Sequence, residues 1–208
     1  MRTRIIHAIA VMLPGAVAAL AATPSQNGRA QTMSLIDADQ KPAVEKSLRE
    51  LEALSPAQAA TTNKAVVTLV ANQHSIAVTR GFNVVQDEPA SVAGGARGPT
   101  PTDYFMAALG TCQNVVFVRF AALEQLAIEA LETTVTGTWD RRGLYAIGGV
   151  DPGFQEITLE TRVSTSAPGE KVAEVARRTR RGCPIFATLR KETAFTVRLL
   201  VNGQPVPL

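Results

Sequence analysis

Two cysteines are the residues of this sequence with the greatest capacity for chemistry. Cys112 lies in the apolar stretch MAALGTCQNVVF and Cys183 in the stretch RRGCPIFATLR. Two cysteines in 208 residues are too few for a disulfide framework, and the two histidines stand at no zinc-binding spacing from them. If the two thiols meet, they form either a reaction centre or a single structural bridge.

The surroundings of Cys183 favour a reactive thiolate. Gly182 and Pro184 on either side predict that Cys183 is the N-cap of a short helix. Four arginines precede it: Arg177, Arg178, Arg180 and Arg181. Nearby cations and a helix N-terminus both stabilise the thiolate. The alternative is a solvated basic helix end with an incidental cysteine.

Cys112 has a less favourable setting. A thiol inside an apolar helix ordinarily has a raised pKa and packs as a small hydrophobic group. Gly110, Gln113 and Asn114 interrupt the apolar character on one side, so this part of the helix is expected to face either the core or a pocket.

The helix that carries Cys112 has a clear start. The Gly- and Pro-rich segment 90–103 predicts a loop, followed by Thr100 as N-cap, Pro101 in the first turn and Asp103 as the capping-box acid. The predicted helix, about 101–127, is apolar around nearly its whole circumference. Its large apolar residues are Phe105, Leu109, Val115, Val116, Phe117, Val118, Phe120 and Leu123. This predicts a buried central helix.

The remaining elements alternate between strand and helix patterns. A charged surface helix is predicted over 34–54 and a second helix over 167–182. Strand patterns occur in 65–71, 75–85, 131–139, 156–166 and 194–203. The connections between strands are too short for crossovers, which predicts an α+β fold with mainly antiparallel sheet.

The first 32 residues have the pattern of a secretory signal peptide and leader. Arg2 and Arg4 precede an apolar run over 5–20, and small residues allow cleavage near residue 22. This predicts a periplasmic or secreted protein. The alternative is that Met33 is the true start, which would make the protein cytoplasmic.

The net charge and the length of the apolar run exclude some binding partners. The order of segments gives the predicted domains. Removing residues 1–22 leaves 19 basic against 18 acidic residues, which does not indicate nucleic-acid binding. The apolar run is shorter than the ~20 residues that span a bilayer, so no stable membrane insertion is expected after leader removal. The leader precedes a surface-helix segment, 33–60, and one domain, 61–208.

Two segments resemble the OsmC/Ohr family of thiol-dependent peroxidases. They are GPTPTDYFMAALGTC, residues 98–112, and RRGCP, residues 180–184. The segment DPGFQEITLETRV, 151–163, is also similar, and the resemblance covers roughly 60–202 in element order. It implies an OsmC-like fold in which antiparallel sheets wrap a long central helix, within an intertwined homodimer.

The resemblance also implies a reaction. Cys112 would be the peroxidatic cysteine, converted to a sulfenic acid by an organic hydroperoxide, and Cys183 would resolve it as a disulfide. A dithiol reductant would restore both thiols, with no metal, haem or flavin. We expect an apolar pocket near these cysteines, lined by Tyr104, Phe105, Phe186 and Leu189.

In the family an arginine with an acidic partner stabilises the thiolate. Asp103 takes the place of the usual glutamate, but it lies nine residues before Cys112, about 13.5 Å along an ideal helix. Asp103 would therefore act through an arginine or serve as a helix cap. Val84 and Val85 occupy the neighbourhood of the usual arginine, which leaves Arg80, on a strand, and Arg97, in the loop, as candidates.

A non-catalytic reading remains open. A permanent bridge between Cys112 and Cys183 would suit a structural or ligand-binding protein of the same fold in an oxidising compartment. The missing arginine favours this alternative. His74 and Trp139 are expected to be packing or surface residues.

Overall fold

The computed structural model of the chain describes residues 34–207. The predicted signal peptide and leader, 1–32, lie outside them. The helices are α1 (Gln40–Glu52), α2 (Pro56–Ala59), α3 (Pro101–Leu123), α4 (Gly169–Gly182) and α5 (Pro184–Leu189). The strands are β1 (Val66–Ala71), β2 (His74–Thr79), β3 (Phe82–Gln86), β4 (Ala130–Trp139), β5 (Phe154–Ser164), β6 (Leu199–Val201) and β7 (Gln204–Val206). The α+β class with antiparallel sheets and a long central helix is confirmed.

The ends of α3 follow from local chemistry. At its start the Thr100 hydroxyl accepts the Asp103 amide N–H, and the Asp103 carboxylate accepts the Thr100 N–H at 2.9 Å. The helix ends four residues before the predicted end because Gln125 adopts a left-handed φ of 54°. The Gln125 and Leu126 amides then bond back to the carbonyls of Ala122 and Ala121, which is a Schellman cap.

Strands β1, β2 and β3 form an antiparallel meander. Arg80 and Gly81, with φ of 51° and 85°, make the tight turn between β2 and β3. The prediction that Arg80 lies on a strand is therefore wrong: it occupies the hairpin turn. The Tyr104 hydroxyl donates to the Val85 carbonyl at 2.6 Å, which ties β3 to the first turns of α3.

Strands β4 and β5 pair along almost their whole length, and α3 packs against β4. Residues along β4 alternate between exposed and half-buried, as expected for a sheet with one covered face. Gly110 permits the close approach, because a Cβ atom at that position would lie 3.2 Å from Val135 Cγ2. Gly110 thus packs closely against β4, and it also lines a cavity of about 230 Å³ beside that strand.

The core lies where α3 meets α4 and the start of β4. Its buried cluster consists of Phe117, Ala121, Leu126, Ile128 and Val175. Helix α1 packs against α3, within the predicted segment 33–60. Helix α3 is also long and apolar enough to cross a membrane by length and composition, a property that core helices of soluble proteins share.

The closing strand differs from the prediction over 194–203. Only Leu199–Val201 is a strand, and it forms a hairpin with β7. Residues 192–198 have no regular structure, since no sheet edge within 34–207 pairs with them. A strand pattern needs a partner edge, and the described chain supplies none for this segment.

Candidate active site

The two cysteine side chains lie in direct contact. The Sγ atoms of Cys112 and Cys183 are 2.9 Å apart, within hydrogen-bond distance for sulfur, although the two residues are 71 positions apart in the sequence. This separation exceeds the ~2.05 Å of a disulfide bond, and both cysteines are free. The fold therefore brings the two sequence candidates together as a dithiol.

The turn between α4 and α5 positions Cys183. Its amide N–H donates to the Thr179 carbonyl at 2.9 Å, which completes α4. Its sulfur accepts the Phe186 amide N–H at 3.4 Å, so Cys183 is also the N-cap of α5, with Pro184 in the first turn. Cys183 is completely buried, whereas Cys112 is half-buried.

Close packing holds this turn against α3. Gly182 fits beside the Phe120 ring, where a Cβ atom would lie 3.1 Å from Cε2. Arg178 stacks over the same ring, 4.4 Å from its centroid, and pairs with Glu124 at 2.6 Å. These contacts fix the distance between the end of α4 and the face of α3 that carries Cys112.

The electrostatic setting of Cys112 contains opposing influences. Burial raises the pKa of the Cys112 thiol above its usual 9.0, and the contact with Cys183 raises this pKa further. The Ile185 amide and the positive charge of Arg119 act in the opposite direction but do not overcome the rise. In the single chain, Cys112 is therefore protonated at neutral pH.

Arg119 was not among the candidates from the sequence, although its spacing from Cys112 places both residues on one face of a helix. It lies seven residues after Cys112, two turns further along the same face of α3. Nothing in the sequence distinguishes it from an ordinary exposed arginine. It is the cation that acts on Cys112 in this structure.

Arg97 has a partner away from the cysteines. Its guanidinium bonds to the Asp87 carboxylate at 3.0 Å, and Asp87 is only 1 % exposed. That carboxylate also accepts amide N–H groups from Glu88, Gly95 and Arg97. Burial raises the pKa of Asp87, but these hydrogen bonds outweigh it and lower the pKa from 3.8 to about 2. The pair organises the loop that leads into α3.

Asp103 and Arg80 also have local roles. The Asp103 carboxylate accepts the Thr100 amide and hydroxyl, and its side chain forms no ion pair within residues 34–207. Arg80 is exposed in its hairpin turn. Across the described chain Asp103, Arg80 and Arg97 make no hydrogen bond or ion pair with either cysteine. Their catalytic roles stay a prediction.

The four residues predicted to line one pocket are divided among different surroundings. Phe105 stacks on Phe154 with ring centroids 5.5 Å apart, and the Tyr104 hydroxyl is bonded to β3. Phe186 lines a cavity of about 380 Å³, and Leu189 is 42 % exposed.

Solved structures share this fold. An OsmC-like protein from Mycoplasma pneumoniae aligns with a TM-score of 0.55 and 19 % identity, over 62 % of this chain and 88 % of that one. An OsmC-like protein of unknown function from Vibrio cholerae O1 biovar eltor aligns with a TM-score of 0.53 and 15 % identity, over 64 % and 96 %. No curated protein matches the chain.

A match to a family model identifies the family of this chain from its sequence. The family model described as OsmC-like protein matches residues 94–198, half of the chain, and this range contains both cysteines. The chain therefore belongs to the OsmC family, and the resemblance of its two cysteine segments is confirmed.

Proposed function

We propose that this protein is a thiol-dependent peroxidase that reduces organic hydroperoxides. The observation that carries the proposal is the contact between the Cys112 and Cys183 sulfurs, 2.9 Å apart in a reduced pair. A sulfenic acid at one sulfur would need to move by less than 1 Å to form a disulfide with the other. Membership of the OsmC family supports a redox role for this pair.

The difference in burial supports the assignment of roles. Cys112 is half-buried, so it is the sulfur of the pair that a peroxide from solvent can reach. Cys183 is fully buried, which suits a residue that reacts only with an internal partner. Cys112 is therefore the peroxidatic cysteine of the proposal and Cys183 the resolving one.

The proposed cycle has three steps. The Cys112 thiolate attacks the O–O bond of the hydroperoxide, the alkoxide leaves and takes a proton as an alcohol, and sulfur becomes a sulfenic acid. The Cys183 thiol then displaces water from this sulfur and forms the disulfide. A dithiol reduces the disulfide by two exchange steps and leaves as its own disulfide.

Activation of Cys112 is the demanding part of this cycle. Burial and the Cys183 contact raise the pKa of the Cys112 thiol, so only a minor fraction is thiolate at neutral pH in the single chain. Arg119 and the Ile185 amide favour the thiolate. The proposal assigns these two groups to stabilising the attacking form.

We further propose that the working form is a homodimer. The single chain exposes many apolar side chains on β1 and in the C-terminal segment, more than a soluble surface usually leaves uncovered. They include Val67 and Leu69 on β1, and Phe195 and Val197 in the C-terminal segment. A second copy that covers them would also supply sheet edges for residues 192–198.

The cellular compartment depends on whether residues 1–32 contain a signal peptide, and it remains part of the proposal. A signal peptide within residues 1–32 would place the reaction in the periplasm or outside the cell, and a start at Met33 would place it in the cytoplasm. The reductant is proposed only as a dithiol. No metal or organic cofactor enters the cycle.

A permanent structural disulfide is the second candidate. The raised pKa of the Cys112 thiol favours it, since a protonated thiol is a poor nucleophile toward a peroxide. In that case the fold would bind a ligand or act as a scaffold. Resistance of the bridge to mild reductants would then be expected.

Turnover separates the two candidates. Consumption of cumene hydroperoxide and of hydrogen peroxide is measured with dithiothreitol as reductant, for the wild type, Cys112→Ser and Cys183→Ser. The proposal predicts preference for the organic peroxide and complete loss with Cys112→Ser. Equal inertness of all three proteins, with a lower melting temperature on reduction of the wild type, would support the structural bridge.

A further inference from the structure

Four arginines line one small cavity at the junction of α4 and α5. Arg177, Arg180 and Arg181 come from the second half of α4, and Arg190 directly follows α5. The cavity has a volume of about 200 Å³, and every described residue that lines it is an arginine. Its wall thus contains neither of the two cysteines and no apolar residue, which distinguishes it from a pocket for an organic hydroperoxide.

Glutamates neutralise only part of this charge. Arg177 pairs with Glu170 at 2.7 Å and with Glu174 at 2.8 Å. Arg181 shares Glu174, at 3.4 Å. These are the carboxylates within residues 34–207 that form ion pairs with the lining of the cavity. Four guanidinium groups therefore share two carboxylates, which leaves two positive charges uncompensated.

An aromatic ring holds the other two arginines in place. The Cζ atom of Arg180 lies 5.9 Å from the centroid of the Phe186 ring, and the Cζ atom of Arg190 lies 5.6 Å from the same centroid. Both distances are within the range of cation–π contacts. The ring thus keeps two unpaired cations at one cavity, and groups that are held before a ligand arrives lose less entropy when it binds.

The dipole of α4 does not account for the whole cluster. Cations in the last turn of a helix are stabilising, which explains Arg180 and Arg181. Arg190 lies outside α4, yet it lines the same cavity. Like charges that converge from two helices repel each other, and an anion between them would convert this repulsion into attraction. The arrangement therefore indicates a site for an anion.

We propose that this cavity binds the dianion of a phosphate group, as free phosphate or as the phosphomonoester of a small molecule. Each guanidinium group presents a planar fork of N–H donors that matches the oxygens of a phosphate. The two uncompensated positive charges match the charge of the dianion. The site is separate from the thiol pair and does not rest on the peroxidase proposal.

The test measures binding of inorganic phosphate and of glycerol 3-phosphate to the full chain by isothermal titration calorimetry at pH 8 and constant ionic strength. Acetate is the monoanionic probe. We expect saturable binding of both phosphates and at least about tenfold weaker binding of acetate. Tighter binding of glycerol 3-phosphate would assign the site to a phosphomonoester, and tighter binding of inorganic phosphate would assign it to the free anion.

Single variants test the contribution of the unpaired arginines. Arg180→Gln should weaken phosphate binding by about tenfold, since a charge-assisted contact is lost. Arg180→Lys should weaken it less, because the positive charge remains while the fork of donors is lost. Lys171→Gln is the matched control: it removes an exposed charge from the first turns of α4, outside the cavity, and should change the affinity by less than about twofold.

A double variant separates ligand recognition from damage to the fold. Arg180→Gln and Arg190→Gln together remove the two uncompensated charges, so the melting temperature of the free protein should stay the same or rise. Phosphate should raise the melting temperature of the wild type but no longer that of the double variant.

Four results would overturn the proposal. Neither phosphate binds saturably below about 10 mM, or acetate binds equally well. Lys171→Gln weakens phosphate binding as much as Arg180→Gln does. The double variant still gains as much stability from phosphate as the wild type.

Discussion

Gly182 lies against Phe120 so closely that a Cβ atom at position 182 would be 3.1 Å from the ring carbon Cε2. This contact joins the last residue of α4 to α3, one residue before Cys183. The distance between the two cysteine sulfurs therefore depends on the absence of a side chain at position 182.

Enlarging Gly182 should separate the thiols. We expect Gly182→Val to destabilise the fold by about 1–3 kcal/mol through overpacking and to slow disulfide formation after peroxide treatment. Urea unfolding and quenched thiol counts provide the two measurements. Gly169→Ala, at the open start of α4 with nothing within 4 Å, is the matched control and should change neither. Unchanged disulfide formation in Gly182→Val would contradict this role.

Arg119 should favour the thiolate of Cys112. Its charge lowers the pKa of this thiol, so Arg119→Gln should raise that pKa and slow alkylation of Cys112 by iodoacetamide at pH 7.5. The expected loss is about two- to fivefold, as for other exposed charge interactions. The measurement uses a Cys183→Ser background, so that only one thiol reacts.

The control for Arg119 is an arginine engaged elsewhere. Arg162→Gln removes a charge that pairs with Glu132 and Glu160 on the sheet, and the alkylation rate should stay the same. An equal loss in both variants would indicate a change in net charge rather than a local effect on Cys112.

The alkylation rate of wild-type Cys112 should rise steeply with pH. Burial and the Cys183 contact raise the pKa of its thiol above 9.0, so the thiolate fraction increases across the whole range from pH 7 to pH 9. Stopped-flow alkylation at half-unit intervals of pH measures this. A rate that is already constant above pH 7 would show that another group lowers the pKa in the assembled protein.

Asp87 should govern stability in acid. Its folded-state pKa of about 2 lies below the ordinary 3.8, so the carboxylate contributes stability fully above pH 4. This contribution is lost as the pH falls from 3.8 to about 2. Asp87→Asn should lower the melting temperature at pH 7 by about 5 °C or more and flatten its decline below pH 4.

Asp39→Asn is the control for Asp87. Asp39 is exposed at the N-cap of α1, and its side chain makes no capping hydrogen bond. The melting curve of this variant should follow the wild type between pH 2 and pH 7. If the melting temperature of Asp87→Asn fell below pH 4 as steeply as that of the wild type, this would contradict the stabilising role of the Asp87 carboxylate in the loop.

The proposed homodimer predicts a mass of two chains in sedimentation equilibrium at micromolar concentration. Replacing Val67 and Leu69 together by aspartate should shift the protein towards the monomer, because the charges would disrupt an apolar interface. Thr61→Asp, in the exposed segment before β1, should not. A wild type that remains monomeric at 100 μM would contradict the proposal.

The sequence predicts the elements that depend on local chemistry. Thr100, Pro101 and Asp103 define the start of α3, and Gly182, Cys183 and Pro184 define the turn after α4, as the structure has them. These signals are strong because each residue acts on its own backbone or on a neighbour within four residues.

Contacts between distant segments could not be predicted in the same way. Asp87 was missed because an aspartate after a strand is usually an exposed turn residue, and only the folded loop surrounds it with amide donors. Arg119 was missed because seven-residue spacing on a helix gives a shared face but no distance between side chains. The strand predicted over 194–203 forms only in part, because the described residues offer no sheet edge with which the rest of it could pair. The sequence pattern of the segment does not reveal whether such an edge exists.

Trapping of the sulfenic acid tests the central claim most directly. The reduced full chain is treated with one equivalent of cumene hydroperoxide in the presence of dimedone, and the products are identified by peptide mass spectrometry. The wild type should form the Cys112–Cys183 disulfide, Cys183→Ser should accumulate the dimedone adduct on Cys112, and Cys112→Ser should form neither product. Absence of a peroxide-dependent product in the wild type, or an adduct on Cys183 in Cys112→Ser, would contradict the assignment of Cys112 as the attacking thiol.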